Sequence, residues 1–130
     1  MNEIKSRILI VDDSMDQTDF LTEILIDKYD IICAYNGNQA IELAGKHPKP
    51  DLILLDIIIP EPDGYKVCSI LKASDETKHI PIILITGLSS EHNARTGLKS
   101  GAIDYIKKPY DIQLMRNRIK RHLDLKESRR

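Results

Sequence analysis

The segment Asp51-Leu52-Ile53-Leu54-Leu55-Asp56 decides the fold. Its four aliphatic residues are too short a run for a helix and fit a strand buried on both faces. Such a strand belongs inside a parallel sheet with helices above and below it. Asp56 breaks the apolar pattern at the C-terminal end, the edge where open α/β sheets place their chemistry. A second run, Arg7–Val11, ends in Asp12 and Asp13. If the two runs are adjacent parallel strands, three carboxylates converge on one spot. That costs free energy unless a cation or a reaction makes use of it.

Outward from these runs, short apolar segments alternate with amphipathic ones. Ser14 to about Lys28 reads as a first helix, with Phe20, Leu21, Ile24 and Leu25 on one face and Ser14 with Gln17 as a capping box. Asp30–Ala34 is a second strand, and Asn36-Gly37-Asn38 a turn opening a second helix with Ala40, Ile41 and Ala44. After the third strand, Leu52–Leu55, Asp63 caps a helix carrying Val67, Ile70 and Leu71. Ile82–Ile85 is a fourth strand ending at Thr86. A fourth helix spans about Ser89 to Lys99, with Gly101 as its left-handed stop. Ala102–Ile106 is a fifth strand. A fifth helix starts near Asp111 with Ile112, Met115, Ile119 and Leu123 on one face. The pattern predicts a flavodoxin-like, doubly wound (βα)5 α/β fold with strand order 2-1-3-4-5, whose crevice lies between strands 1 and 3.

The 130 residues suffice for one domain with a core, and 42% hydrophobic with 30% charged residues argues against disorder. A net charge of −1 supplies no field for nucleic acid or an anionic membrane. No apolar run is long enough to span a bilayer, and the N-terminus lacks a secretory pattern, so a cytoplasmic location is expected. Cys33 and Cys68 form no metal or redox motif and read as reduced thiols; the four histidines are scattered.

Asp12, Asp13, Asp56, Thr86 and Lys108 thus fall at the ends of strands 1, 3, 4 and 5. Clustered carboxylates suit a small hard cation such as Mg²⁺ (or Mn²⁺), which keeps waters and binds phosphate oxygens. Lys108 adds a compact positive charge and Thr86 a hydroxyl donor. The set points to phosphoryl chemistry on a carboxylate, with Asp56 as nucleophile.

The motifs Ile8-Leu-Ile-Val-Asp12-Asp13-Ser14, Leu54-Leu-Asp56-Ile-Ile-Ile-Pro60-Glu-Pro-Asp63-Gly64-Tyr65, Ile82-Ile-Leu-Ile-Thr86-Gly87 and Gly101-Ala-Ile-Asp-Tyr105-Ile-Lys-Lys108-Pro109-Tyr110 together resemble the receiver domains of two-component response regulators, over about residues 5–125. The resemblance implies a phosphoacceptor switch that takes a phosphoryl group onto Asp56 from a histidine kinase or histidine phosphotransfer protein. It implies Mg²⁺ held by Asp13, Asp56 and the backbone carbonyl of Ile58, with Asp12 acting through water. Thr86 and Lys108 would contact the phosphoryl group, and the Lys108–Pro109 peptide would be cis. Thr86 and Tyr105 would act as the switch, changing the face made by the fourth helix, fifth strand and fifth helix for an output domain or target protein. Self-phosphotransfer and slow self-dephosphorylation would be its only chemistry, so it is not a turnover enzyme. A homodimer is compatible with the family pattern.

Some positions depart from that pattern. Gly87 keeps access to the phosphoryl group open. Ile58 and Leu88 stand two residues after Asp56 and Thr86, where many relatives carry polar side chains. Two aliphatic groups there would shield an acyl phosphate and leave no side chain to orient an attacking water. Residues 126–130 read as a charged tail or the start of a linker helix, which would make the chain part of a larger hybrid kinase or multidomain regulator.

Three other readings fit less well. An aspartyl-phosphate phosphatase would want a second acid at position 58. A flavin or nucleotide binder would want a Gly-, Ser- or Thr-rich loop after strand 1. A phosphorylation-independent module would not need the complete set of acids, Thr86 and Lys108.

Overall fold

The computed structural model describes residues 4–87 and 99–128. Five parallel strands, β1 (Arg7–Val11), β2 (Asp30–Ala34), β3 (Leu52–Asp56), β4 (Ile82–Thr86) and β5 (Asp104–Lys107), form one sheet in the order β2-β1-β3-β4-β5. The described helices are α1 (Met15–Leu25), α2 (Gly37–Ala44), α3 (Gly64–Ala73) and the C-terminal α4 (Ile112–Ser128). The helix expected over Ser89 to Lys99 lies almost wholly outside the described residues, as does Leu88.

Alternation along each strand sorts the apolar residues onto two faces. Leu9, Val11, Ile53, Leu55 and Leu84 pack with Ala40 and Ala44 of α2 and Val67 and Leu71 of α3. Ile8, Ile10, Leu54, Ile83 and Ile85 pack with Leu21 and Leu25 of α1 and Met115, Ile119 and Leu123 of α4. Every residue of β3 and β4 is buried, which explains why these two strands read as unbroken apolar runs.

Side chains set the helix starts. Ser14, Asn36 and Asp63 each accept a hydrogen bond from the backbone N–H three residues on. The expected capping box is only half formed, because the Gln17 side chain does not return to its cap. Its Oε1 accepts from the Tyr110 hydroxyl at 2.9 Å. Phe20 and Ile70, expected on buried helix faces, are 42% and 45% exposed. Thr18 and Leu21 of α1, and Cys68 and Leu71 of α3, face the sheet instead. β5 starts at Asp104 rather than Ala102, although the Ile103 amide already donates to the Ile82 carbonyl. Gly101 has φ of 101°, the left-handed conformation expected of it. Among the described residues, no helix is long and apolar enough to cross a membrane.

Candidate functional site

The ladder brings the polar strand ends together. Val11 pairs with Leu55, Asp56 with Ile85 and Thr86 with Lys107, so Asp12, Asp56, Thr86 and Lys108 end neighbouring strands at one edge. The Lys108 amide donates to the Thr86 carbonyl at 2.7 Å and extends that edge beyond the ladder.

Asp12 and Asp56 are each 4% exposed. Asp56 is held at both oxygens. Oδ1 accepts from the Ile58 amide at 2.9 Å, and Oδ2 meets the Lys108 ammonium at 2.8 Å. Lys108 Nζ also lies 3.6 Å from Asp12 Oδ2, while Asp12 Oδ1 accepts from the Ser14 amide at 2.9 Å. One ammonium therefore serves two buried carboxylates, and Asp13, next in the chain after Asp12, is exposed.

The electrostatics follow from that imbalance. Burial, reinforced by the Asp56 carboxylate and only partly opposed by the Ser14 N–H and Lys108, pushes the Asp12 carboxyl up from 3.8 to about 6. Burial works to lower the Lys108 ammonium, but Asp56 and Asp12 outweigh it and hold it above its ordinary range. Among the described residues no three His, Cys, Asp or Glu side chains form a preassembled metal cluster. The donor set nevertheless fits a hard cation. It is all oxygen and sets two buried carboxylates beside a single ammonium.

The remaining predicted residues lie around this centre. Thr86 is 2% exposed at the end of β4. Gly87 is exposed, and a side-chain carbon added there would meet no heavy atom within 4 Å. Ile58 is 57% exposed at the rim. The Lys108–Pro109 peptide is cis, and so are His47–Pro48 and Glu61–Pro62. Tyr105 is not part of the cluster. It pairs with Leu84 in the ladder and is partly buried against the α2 and α3 face of the core.

Sequence reasoning missed two features. Gly64 approaches the site so closely that a Cβ on it would lie 2.5 Å from the Asp56 carbonyl oxygen. Tyr110 joins the loop carrying Lys108 to α1, through Gln17 and a stacked contact with Phe20 at 6.4 Å between ring centroids. Gln17, Phe20, Gly87, Lys108 and Tyr110 thereby line one shallow cavity. The only sequence signal for it was an aromatic residue directly after Lys108-Pro109.

The model of the response regulator receiver domain matches residues 8–120. The chain is 42% identical over 122 residues to a Vibrio cholerae serotype O1 protein described as a probable cyclic di-GMP phosphodiesterase, covering 94% of this chain and 27% of that protein. The crystal structure of the signal receiver domain of a signal transduction histidine kinase from Syntrophus aciditrophicus is 37% identical, with a TM-score of 0.84 over 92% of this chain and 90% of that one. A two-component response regulator from Clostridium difficile is 29% identical, with a TM-score of 0.84 over 92% and 97% of the two chains. The chain thus spans about a quarter or less of the length of curated relatives it matches.

Proposed function

The chain belongs to the response regulator receiver family of two-component signalling, and on that premise we propose that Asp56 is its phosphoacceptor. The observation that carries this reading is the buried Asp56 carboxylate, gripped by the Ile58 amide and Lys108 and set beside a second buried acid. One Asp56 oxygen would form a bond to phosphorus as the phosphorus–nitrogen bond of a donor phosphohistidine breaks. The electron pair of that bond stays on the leaving imidazole nitrogen, which takes a proton from solvent water. Lys108 stabilises charge on the transferring oxygens, and Thr86 presents its hydroxyl to them. Asp13, Asp56 and the Ile58 carbonyl, with Asp12 through water, would hold Mg²⁺ or Mn²⁺. The metal supplies further charge neutralisation at the phosphoryl group.

The phosphorylated carboxyl brings added charge and strong acceptors into a buried edge. Thr86 turning toward them, and Tyr105 moving in behind it, would alter the face that β5 shares with α4. The natural partners are a histidine kinase or phosphotransfer protein on the input side and an output domain or target protein on the other. The short span relative to the curated relative supports a module within a longer regulator.

Intact-mass measurement after incubation with acetyl phosphate and Mg²⁺ tests the reading. One added phosphoryl group, removed by hydroxylamine as an acyl phosphate would be, is expected. No added mass, or a hydroxylamine-stable one, overturns it.

Two further results are expected. Ile58 stands exposed where a polar side chain would orient water. Ile58→Asn should therefore speed loss of the phosphoryl group by about tenfold, the effect of roughly 1.4 kcal/mol on the barrier. An unchanged decay rate in the mass assay would refute this. The second concerns pH. The carboxyl of Asp12 is raised by the fold, so the metal-free protein has a stability contribution below 3.8 that is lost as pH rises through about 6. Mg²⁺ requires the ionised form. Its stabilisation of the fold, read by thermal unfolding, should be larger at pH 7.5 than at pH 5, and Asp12→Asn should flatten the difference. Equal Mg²⁺ shifts at both pH values would contradict it.

A further inference from the structure

At the end of the sheet opposite Asp56 lies a cavity of about 680 Å³. Pro81 before β4, Ala102 and Ile103 before β5, and Leu125 of α4 give it an apolar part. Lys72, Lys78, His79, His122 and Lys126 supply every titratable group of its described lining, and no carboxylate is among them. Such a volume is in the range of small-molecule sites, roughly 300–1,000 Å³.

The lysines differ in how they are neutralised. Lys78 and Lys126 pair with Asp75 and Asp51, acids that stand outside the lining. Lys72 has no carboxylate within ion-pair distance among the described residues. Its ammonium donates only to the Lys78 and Ile80 backbone carbonyls, and Gly101 covers its stem. Burial holds this ammonium below its ordinary range. Lysines are expected here in part because α3 and α4 point their C-terminal, partly negative ends at this corner. The lysine charges still reach His79. Burial, then Lys126, Lys49 and Lys72, hold its imidazole low. His122 adds a buried polar group on the cavity wall. It is 7% exposed, its Nε2 lies 3.0 Å from Asp104, and its buried Nδ1 has no partner.

We propose that this corner binds a small phosphate-bearing ligand with a flat apolar body, of mononucleotide size or somewhat larger. The phosphate would lie among Lys72, Lys78 and Lys126, with the body against Pro81, Ile103 and Leu125. The site shares no residue with the Asp56 cluster and does not depend on its chemistry.

The test is a titration of the chain with adenosine monophosphate, followed by two-dimensional amide NMR. Adenosine and inorganic phosphate are titrated separately. Saturable shifts at Ala102, Ile103 and Leu125 are expected with the nucleotide, and weaker binding at the same resonances with phosphate alone. Lys78 is exposed and its loss does not threaten the fold, so Lys78→Glu should weaken nucleotide binding about tenfold. The His79 ring should titrate at higher pH with the nucleotide bound. No saturable shift, binding of adenosine as tight as that of the nucleotide, shifts confined to Gly87, Lys108 and Tyr110 at the other end of the sheet, or affinity unchanged in Lys78→Glu would each overturn the proposal.

Discussion

Asp56→Asn should abolish acyl phosphate formation altogether while leaving the protein folded. The amide cannot act as the nucleophile, and no other described acid combines the burial, amide contact and lysine contact of Asp56. Asp12 is equally buried, but its oxygens are directed to the Ser14 amide and, at longer range, to Lys108. Phosphoryl incorporation in the mass assay should fall to background. Stability should change little, within about 1 kcal/mol, because two opposing effects come with the substitution. The ion pair to Lys108 is lost, and the repulsion between two buried carboxylates is relieved. The Asp12 carboxyl should then titrate lower, since Asp56 is one of the groups holding it up. A variant that still gains a phosphoryl group would move the acceptor elsewhere. A variant that unfolds would show that Asp56 is needed for the fold, and the loss of labelling would then carry no weight.

Gly64→Ala should cost about 3 kcal/mol of stability for a single added carbon. The first residue of α3 lies against the end of β3. The new Cβ would stand 2.5 Å from both the Asp56 carbonyl oxygen and the Ile57 Cα. These are backbone atoms, so no rotamer change can make room. The Gly64 amide also donates to the Ile57 carbonyl at 3.0 Å, so the helix cannot withdraw without breaking that bond. Either α3 tilts away from the core or the Asp56–Ile57 peptide shifts, and the second displaces the acceptor. Gly64→Ala should therefore lower the denaturation midpoint and slow phosphorylation together. Gly45→Ala is the matched control. Its Cβ would sit 3.8 Å from the nearest atom, an ordinary contact, and its φ of −89° suits any residue. It should stay within about 0.5 kcal/mol of the parent. Equal effects of the two substitutions would refute the steric argument.

The strands were legible because each is a short run of aliphatic residues between turn-forming ones, and 2-1-3-4-5 is the commonest doubly wound order among the few that right-handed crossovers leave. The adjacency of Asp12, Asp56, Thr86 and Lys108 followed from that order, since residues ending neighbouring strands must meet. Helix faces were less legible. Phe20 sits at the same helical spacing as residues that face the sheet, but spacing does not say where the stripe ends, and Tyr110 draws its ring to the edge. The Gln17–Tyr110 bond spans 93 positions and depends on the path of a loop, which no local pattern encodes. Gly64 was visible only as part of a motif. What demands a glycine there is another element's backbone, which a single sequence does not display.

Lys126 reaches the other end of the acceptor strand. Its ammonium lies 3.1 Å from Asp51 Oδ1, while Asp51 Oδ2 accepts the Arg7 amide at 2.7 Å. α4 continues through position 125 to Ser128 without a break. A chain shortened at Leu125 would thus leave the Asp51 carboxylate with the Arg7 amide alone and loosen the start of β1. Anyone grafting this module onto a new effector should put the splice beyond Lys126, since the last turn of the helix works as a strut for the sheet before it serves as a connector.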